Sequence, residues 1–247
     1  MAAVPHFTIR PHNSHYQGAF DPAEVAWLAA GAIDKARNLA ALLGAEAAQM
    51  DSVLEVGCGT GAVLMELQQL GVGRTHRGVD YAEPSEHCDP RAVAADLPLD
   101  RYDGQRLPYG DASFDLVYAT HVLEHVPEEQ PFLAELKRVA RRLVYVEVPC
   151  EVTLRTTVAS LQATLEIGHL HPYTPESFAL ELCRADLAPE RFRLFDHSLT
   201  VHSWHGGALR GRAKQAVRRT LLAASPHWAS KLLCYHAGAL CRIGPKP

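Results

Sequence analysis

The sequence lacks acidic residues after Asp196. All 28 Asp and Glu side chains lie at or before that position, and the remaining chain carries eight basic residues. The formal net charge of -4 therefore combines an acidic body with a basic tail. Such a tail either forms the solvated face of helices packed on the body or binds an anionic partner. We favour the solvated face. The basic residues are Arg210, Arg212, Lys214, Arg218, Arg219, Lys231, Arg242 and Lys246.

Three further absences narrow the class of protein. The six cysteines form no CxxC pair, and the first residues lack the basic and apolar regions of a secretory signal. No apolar run approaches the roughly 18 residues that span a bilayer. The average composition excludes a disordered, collagen-like or coiled-coil chain. We therefore expect a cytoplasmic globular protein whose thiols are reduced.

Short apolar segments alternate with helical patterns along the first two thirds of the chain. This alternation predicts an α/β fold, a doubly wound and mainly parallel sheet with helices on both faces. We divide the chain into an N-terminal arm with helices (1–44), a core (45–205) and a basic and apolar helical extension (206–247). The strand candidates are Ser52–Val56, Arg77–Val79, Phe114–Tyr118 and Leu143–Val148.

The end of the chain is less regular. Phe192–Phe195 and Leu199–Ser203 are predicted to form an antiparallel pair of strands, and Trp228–Ile243 a final helix. Between them, Leu209–Leu222 is predicted to be an amphipathic helix whose basic residues face solvent. Its predicted inner face comprises Leu209, Ala213, Ala216, Val217 and Leu221.

A glycine-rich turn follows the first strand. It reads Gly57-Cys58-Gly59-Thr60-Gly61, and glycines at such a turn let a ligand approach the main chain next to a helix N-terminus. The spacing is not G-x-G-x-x-G, which disfavours a nicotinamide site, and no Lys-Ser/Thr follows, which excludes a P-loop.

Several motifs in order over residues 50–150 resemble the class I S-adenosylmethionine-dependent methyltransferases, close to the small-molecule enzymes of quinone biosynthesis. The resemblance implies a seven-stranded Rossmann-like fold and S-adenosylmethionine as cofactor. It rests on the glycine turn with Glu55, Gly78-Val79-Asp80, the Asp103–Tyr109 stretch with its Leu107-Pro108, Ser113–Val117, His121–Val126 and Glu135–Val139.

The resemblance assigns the cofactor site residue by residue. Asp80 corresponds to the acid that binds the ribose hydroxyls, and Asp103 to the acid that faces the adenine amino group. Tyr16, in an arm that covers the cofactor in such proteins, is a further candidate. The full set of candidates is Tyr16, Glu55, Gly57, Cys58, Gly59, Gly61, Asp80, Tyr81, Asp103, Gly104, Thr120 and His121.

Histidines are the candidate catalytic groups. His121 and His125 follow the fourth strand, at the edge where ligands bind in such sheets, and an imidazole can accept a proton near neutral pH. The loop with His169, His171 and Tyr173 resembles the family segment that closes over the acceptor. No metal is expected, although His121, Glu124 and His125 form an alternative ligand set on one turn.

These features predict methyl transfer to a small molecule, with oxygen preferred and a histidine assisting deprotonation. Alternatives are a lipid-like or isoprenoid acceptor at a membrane surface reached through residues 207–243, or methylation of nitrogen or carbon in a natural-product intermediate. A nucleic-acid methyltransferase is disfavoured, because no Asn/Asp-Pro-Pro-Tyr/Phe motif follows the fourth strand. No nucleic-acid partner is therefore expected.

Overall fold

The computed structural model describes residues 7–8, 22–82 and 88–244 of the chain. Seven strands form one sheet: β1 (Ser52–Val56), β2 (Thr75–Asp80), β3 (Leu99–Arg101), β4 (Phe114–Thr120), β5 (Ala140–Cys150), β6 (Pro189–Phe195) and β7 (Tyr235–Arg242). The α-helices are α1 (Pro22–Leu43), α2 (Ala62–Gln69), α3 (Pro90–Ala94), α4 (Glu129–Val139), α5 (Val158–Glu166), α6 (Pro175–Arg184), α7 (Leu199–Ser203), α8 (Gly207–Ala224) and α9 (Pro226–Leu232).

The sheet has the strand order β3-β2-β1-β4-β5-β7-β6. Neighbours from β3 to β5 pair in parallel, whereas β7 pairs antiparallel with both β5 and β6. Two hydrophobic clusters cover the faces of the sheet, one including α1 and α2 and the other including α4 and α6. This confirms the predicted doubly wound, mainly parallel fold. The carboxyl ends of β1, β2, β4 and β5 consequently meet at one edge.

The predicted secondary structure of the last fifty residues is wrong in two places. Leu199–Ser203 is the helix α7 and not a strand, and the second half of Trp228–Ile243 is the strand β7. The helical extension predicted over 206–247 therefore ends in a strand that lies inside the sheet. The reason is burial on both faces, which makes an interior strand continuously apolar and indistinguishable by pattern from a buried helix.

Helix α8 is present, but its predicted inner face is wrong except at Leu221, which packs against the core. Leu209 and Val217 are 82% and 59% exposed, whereas Gly211 and Arg218 are buried. Gly211 lies directly against Ser203 of α7, where a Cβ atom would have no room. The Arg218 guanidinium donates to Asp196 at 2.5 Å and lies over the Tyr235 ring. A buried ion pair, and not an apolar stripe, thus sets the orientation of this helix.

No helix within the described ranges is long and apolar enough to cross a bilayer.

Glu55 is a buried acid in the central strand β1. Burial, together with the charge of Asp80, raises its pKa to about 8, although Tyr118 and Lys35 oppose the shift. The folded chain therefore holds a proton on Glu55 at neutral pH, whereas the unfolded chain releases it above the ordinary carboxyl pKa of 4.5. Because the folded pKa is raised, this group destabilises the fold progressively as pH rises through that interval.

We expect Glu55→Gln to remove this penalty. The free energy of unfolding, measured by urea denaturation, should be close to that of the parent at pH 5. At pH 8 the variant should be more stable by about 1–3 kcal/mol. Glu135→Gln is the matched control, since Arg138 holds the pKa of Glu135 below its usual range and that substitution should lower stability at pH 8. A Glu55→Gln effect that does not vary with pH would contradict the prediction.

Candidate active site

The glycine turn links β1 to α2 in a conformation that few other residues adopt. Gly57, Gly59 and Gly61 have φ values of +78°, +48° and +74°. The Gly57 N–H donates to the Val79 carbonyl oxygen at 2.8 Å, and the Gly59 N–H donates to Asp80 Oδ2 at 2.7 Å. The end of β2 therefore holds the turn in place, and Asp80 is brought to it.

The space around the turn fits a polar ligand. A Cβ atom on Gly59 would meet nothing within 4 Å, although one on Gly57 would lie 2.3 Å from Val122. Glu55 Oε2, the Tyr118 hydroxyl and Thr120 Oγ1 are buried without a hydrogen-bond partner among the described residues. The turn therefore leaves open space beside the Gly59 main chain, and buried polar atoms without a partner among the described residues lie on the neighbouring strands β1 and β4.

The other predicted cofactor residues fall at the same edge or outside the described residues. A Cβ atom on Gly104 would lie 3.1 Å from the Tyr81 ring, so the loop with Asp103 adjoins the end of β2. Asp103 is exposed, and its Oδ1 accepts the backbone N–H groups of Gln105 and Arg106. Cys58 is buried, and burial raises the pKa of its thiol. Tyr16 lies outside the described residues.

His121 directly follows β4 in a left-handed conformation, with φ +58°. Its backbone N–H donates to the Glu147 carbonyl oxygen at 2.8 Å, which fixes the turn against β5. Its Nε2 atom lies 2.7 Å from His236 Nδ1, and its Nδ1 atom lies 3.9 Å from Glu124 Oε1. Burial and the nearby Lys35 charge lower the pKa of His121 well below the ordinary value. The imidazole is therefore neutral at pH 7.

Glu147 is a fully buried carboxylate in the middle of β5. Its Oε2 atom accepts from the Tyr145 hydroxyl at 2.5 Å, and Asn38 Nδ2 lies 3.2 Å from both carboxylate oxygens. Burial alone would raise the pKa of Glu147, but its contacts with His121 and His236 outweigh burial and hold the pKa below the usual range. Glu147 is consequently ionised.

The histidine-rich loop packs against the turn that follows His121. The Leu170 and His171 N–H groups donate to the Glu124 carbonyl oxygen, and His125 Nδ1 lies 3.0 Å from the Gly168 carbonyl oxygen. The rings of His125 and His169 are in edge contact. His169 pairs with Glu151 at 2.7 Å. The structure therefore brings His125, Glu124 and His169 together.

The remaining pocket candidates point elsewhere. His171 Nε2 bonds to the Val126 carbonyl oxygen at 3.0 Å, and the Tyr173 hydroxyl donates to Glu129. Both contacts anchor the loop and leave His169 as the loop side chain nearest to Glu124. The side chain of Glu124 itself is fully buried, its oxygens have no hydrogen-bond partner among the described residues, and burial raises its pKa to about 7.

Sequence reasoning missed Glu147, His236, His197, Lys35 and Asn38. A signal existed for Glu147, because a carboxylate interrupts the apolar run Leu143–Val148. His236 carried no signal, since its segment was predicted to be a helix. The structure also separates the members of the alternative metal-ligand set into two clusters. Among the described residues, His121 lies with Glu147 and His236, whereas Glu124 and His125 lie with His169.

Comparison with known proteins agrees with this architecture. Residues 54–146 match the family model of a methyltransferase domain. Norajmaline N-methyltransferase of Rauvolfia serpentina is 28% identical over 137 residues, which cover 51% of this chain and 46% of that protein. O-methyltransferase cnsE of Penicillium expansum is 32% identical over 116 residues, covering 42% and 41%. The chain thus spans less than half the length of these curated relatives.

A solved structure extends the agreement in fold to most of the chain. Geranyl diphosphate C-methyltransferase from Streptomyces coelicolor A3(2), in complex with Mg²⁺, geranyl-S-thiolodiphosphate and S-adenosyl-L-homocysteine, has a TM-score of 0.60 at 14% identity. The match covers 85% of this chain and 75% of that one. The similarity to quinone-biosynthesis enzymes stays a prediction. Residues 54–146 therefore carry a methyltransferase domain, and together with the fold this supports a class I S-adenosylmethionine-dependent methyltransferase with S-adenosylmethionine as its cofactor.

Proposed function

We propose that this protein transfers a methyl group to an oxygen atom of a small-molecule acceptor at the carboxyl edge of the sheet. One observation carries the proposal: His121 directly follows β4 beside the buried carboxyl group of Glu124, whose oxygens have no hydrogen-bond partner among the described residues. When bound, S-adenosylmethionine supplies an electrophilic methyl group that a nucleophile can displace in line. The chain must therefore hold an acceptor and assist the loss of its proton.

The residues at this edge divide these tasks. The glycine turn, Asp80 and Glu55 are proposed to hold the cofactor, with Thr120 and the Asp103 loop beside them. His121 is proposed to assist deprotonation of the acceptor, and His125 and His169 to shape its pocket. A hydroxyl acceptor needs such assistance and suits a site rich in His and Glu. The relatives include methyltransferases of nitrogen and of oxygen, so transfer to nitrogen or carbon is the alternative. A cytoplasmic location stays a prediction.

We expect His121→Ala to lower turnover about 100-fold or more while leaving cofactor affinity nearly unchanged. Turnover is measured as S-adenosylhomocysteine release over a panel of phenols, alcohols and amines. Affinity is measured by calorimetry with S-adenosylhomocysteine. The physical reason is that His121 faces the acceptor side, whereas the glycine turn holds the cofactor.

Gly59→Arg is the matched control for binding. A Cβ atom there would meet no protein atom within 4 Å, so the longer side chain would fill the space above the turn. Because φ +48° strains a residue that has a side chain, circular dichroism and thermal unfolding check that the variant folds. We expect this variant to lose cofactor binding. Retained binding in Gly59→Arg would refute the cofactor site, and unchanged turnover in His121→Ala would remove His121 from the reaction.

A second candidate function is methylation of a lipid-like acceptor at a membrane surface, and the exposed face of α8 favours it. Helical residues advance by about 100° each. With Gly211 and Arg218 facing inward, Leu209, Ala213 and Ala216 point outward and Val217 lies beside them. Arg212 and Arg219 flank this apolar row on one side, and Arg210 and Lys214 flank it on the other.

No acidic residue in the described part of the chain neutralises the charge of this helix face. Arg218, Lys231 and Arg242 pair with Asp196, Glu176 and Glu190 of the acidic body. Arg210, Arg212, Lys214 and Arg219 form no ion pair with any residue in the described ranges. An apolar row between two basic rows suits the interface of an anionic bilayer, where Arg and Lys stems reach toward headgroups. Trp228, 60% exposed on α9, adds an interfacial side chain.

We expect the full chain to co-sediment with phosphatidylcholine vesicles that contain phosphatidylglycerol, and not with phosphatidylcholine alone. Leu209→Ser combined with Val217→Ser should weaken this binding several-fold without loss of stability, because both side chains are exposed. Ala224→Ser, at the far end of the same helix, is the control. Binding that is equal on neutral vesicles, or unchanged in the double variant, would exclude a bilayer-facing role for α8.

A further inference from the structure

We propose that His121, Glu147 and His236 form a binding site for one divalent transition-metal cation. The three residues come from the end of β4, the middle of β5 and the start of β7. Their ligand atoms are His121 Nε2, Glu147 Oε1 and His236 Nδ1, which lie within 4.8 Å of one another. The role of this cation rests on the proposed function, because the cation would lie at the edge of the sheet where the acceptor is proposed to bind.

The geometry of the three atoms fits a common central ion. The distances are 2.7 Å between the two ring nitrogens, and 3.5 Å and 3.7 Å from Glu147 Oε1 to His121 and His236. A point in the plane of such a triangle lies about 2 Å from every corner, which is the usual length of a bond from zinc to His or Glu. A direct hydrogen bond explains only the 2.7 Å between the two imidazole nitrogens. The distances of 3.5 Å and 3.7 Å from Glu147 Oε1 to the two histidines are too long for hydrogen bonds.

The surroundings orient each ligand as metal sites require. The Tyr145 hydroxyl donates to Glu147 Oε2, Asn38 Nδ2 lies 3.2 Å from both carboxylate oxygens, and Oε1 is the oxygen that lies beside the two imidazoles. His236 Nε2 lies 2.9 Å from His197 Nε2, so a proton on His236 Nε2 leaves its Nδ1 lone pair for a ligand. Such outer contacts fix the tautomer and the ring orientation of metal-bound histidines.

Charge and access also suit a cation. Glu147 is fully buried, while the His121 and His236 side chains are 19% and 14% exposed, so an ion would enter from the histidine side. Glu147 and the neighbouring Glu124 bring two carboxyl groups to the region. Lys35 brings one opposing positive charge. Two nitrogens and one oxygen select zinc, cobalt, nickel or iron in preference to magnesium, which prefers oxygen ligands.

Such an ion would help to activate the hydroxyl acceptor in the proposed reaction. With three protein ligands, a fourth position is open to an acceptor hydroxyl, and a bound cation lowers the pKa of a coordinated hydroxyl group. His121 would then assist deprotonation by holding the ion.

The test is cation binding by the full chain after treatment with a chelator. Cobalt(II) chloride is titrated into the protein, and binding is read from the visible ligand-field absorption; zinc is then added as a competitor. We expect one cobalt ion per chain, displaced by zinc and not by magnesium. Glu147→Gln and His236→Gln should weaken binding by about 100-fold or more, and Asn38→Ala by about 10-fold.

His169→Gln is the matched control, because His169 belongs to the neighbouring cluster with Glu124 and His125. It should bind cobalt like the parent. Binding lost only in His169→Gln, or absent from the parent, would overturn the site. Circular dichroism checks folding, and if Glu147→Gln does not fold, His236→Gln and Asn38→Ala decide the outcome. Calorimetry with S-adenosylhomocysteine on the same variants separates the two proposals: absent cobalt binding with intact cofactor binding refutes only the cation site.

Discussion

The arrangement of the candidate active site depends on the contacts made by one buried, ionised carboxylate, that of Glu147 in β5. A buried charge is stable only when its hydrogen-bonding capacity is met. Asn38 from α1 and Tyr145 from the same strand donate hydrogen bonds to Glu147, and two histidines from the ends of β4 and β7 lie 3.5 Å and 3.7 Å from its Oε1 atom. One carboxylate therefore ties a helix and three strands into a fixed arrangement beside the glycine turn.

A second constraint lies at the turn itself. The three glycines adopt left-handed conformations, and Asp80 secures the turn by accepting the Gly59 N–H. The side chains that line this region remain polar and partly unsatisfied, as at Glu55, Thr120 and Glu124. Unpaired buried polar atoms cost stability, so those of Glu55, Thr120 and Glu124 support the proposal that this edge of the sheet binds a ligand.

The basic residues of the tail have two different physical roles. Some of its cations, Arg218 above all, neutralise acids of the body and dock α8 and β7 onto it. Four others, Arg210, Arg212, Lys214 and Arg219, lie on the outer surface of α8 beside an exposed apolar row. Sequence periodicity could not separate these roles, because it assumes that apolar side chains face inward. In this helix a buried Arg–Asp pair and a close contact at Gly211 determined the orientation.

The sequence by itself determined the class of fold, the glycine turn and the order of the core motifs, because these depend on local patterns: strand and helix periods, turn residues and short spacings. Only the tertiary structure decided that the end of the chain forms β7 and inserts between β5 and β6. That insertion places His236 against His121 across a separation of 115 residues. No local pattern encodes such a pairing. It arises because the strand β7 is buried inside the sheet and because the buried carboxylate of Glu147 requires polar contacts.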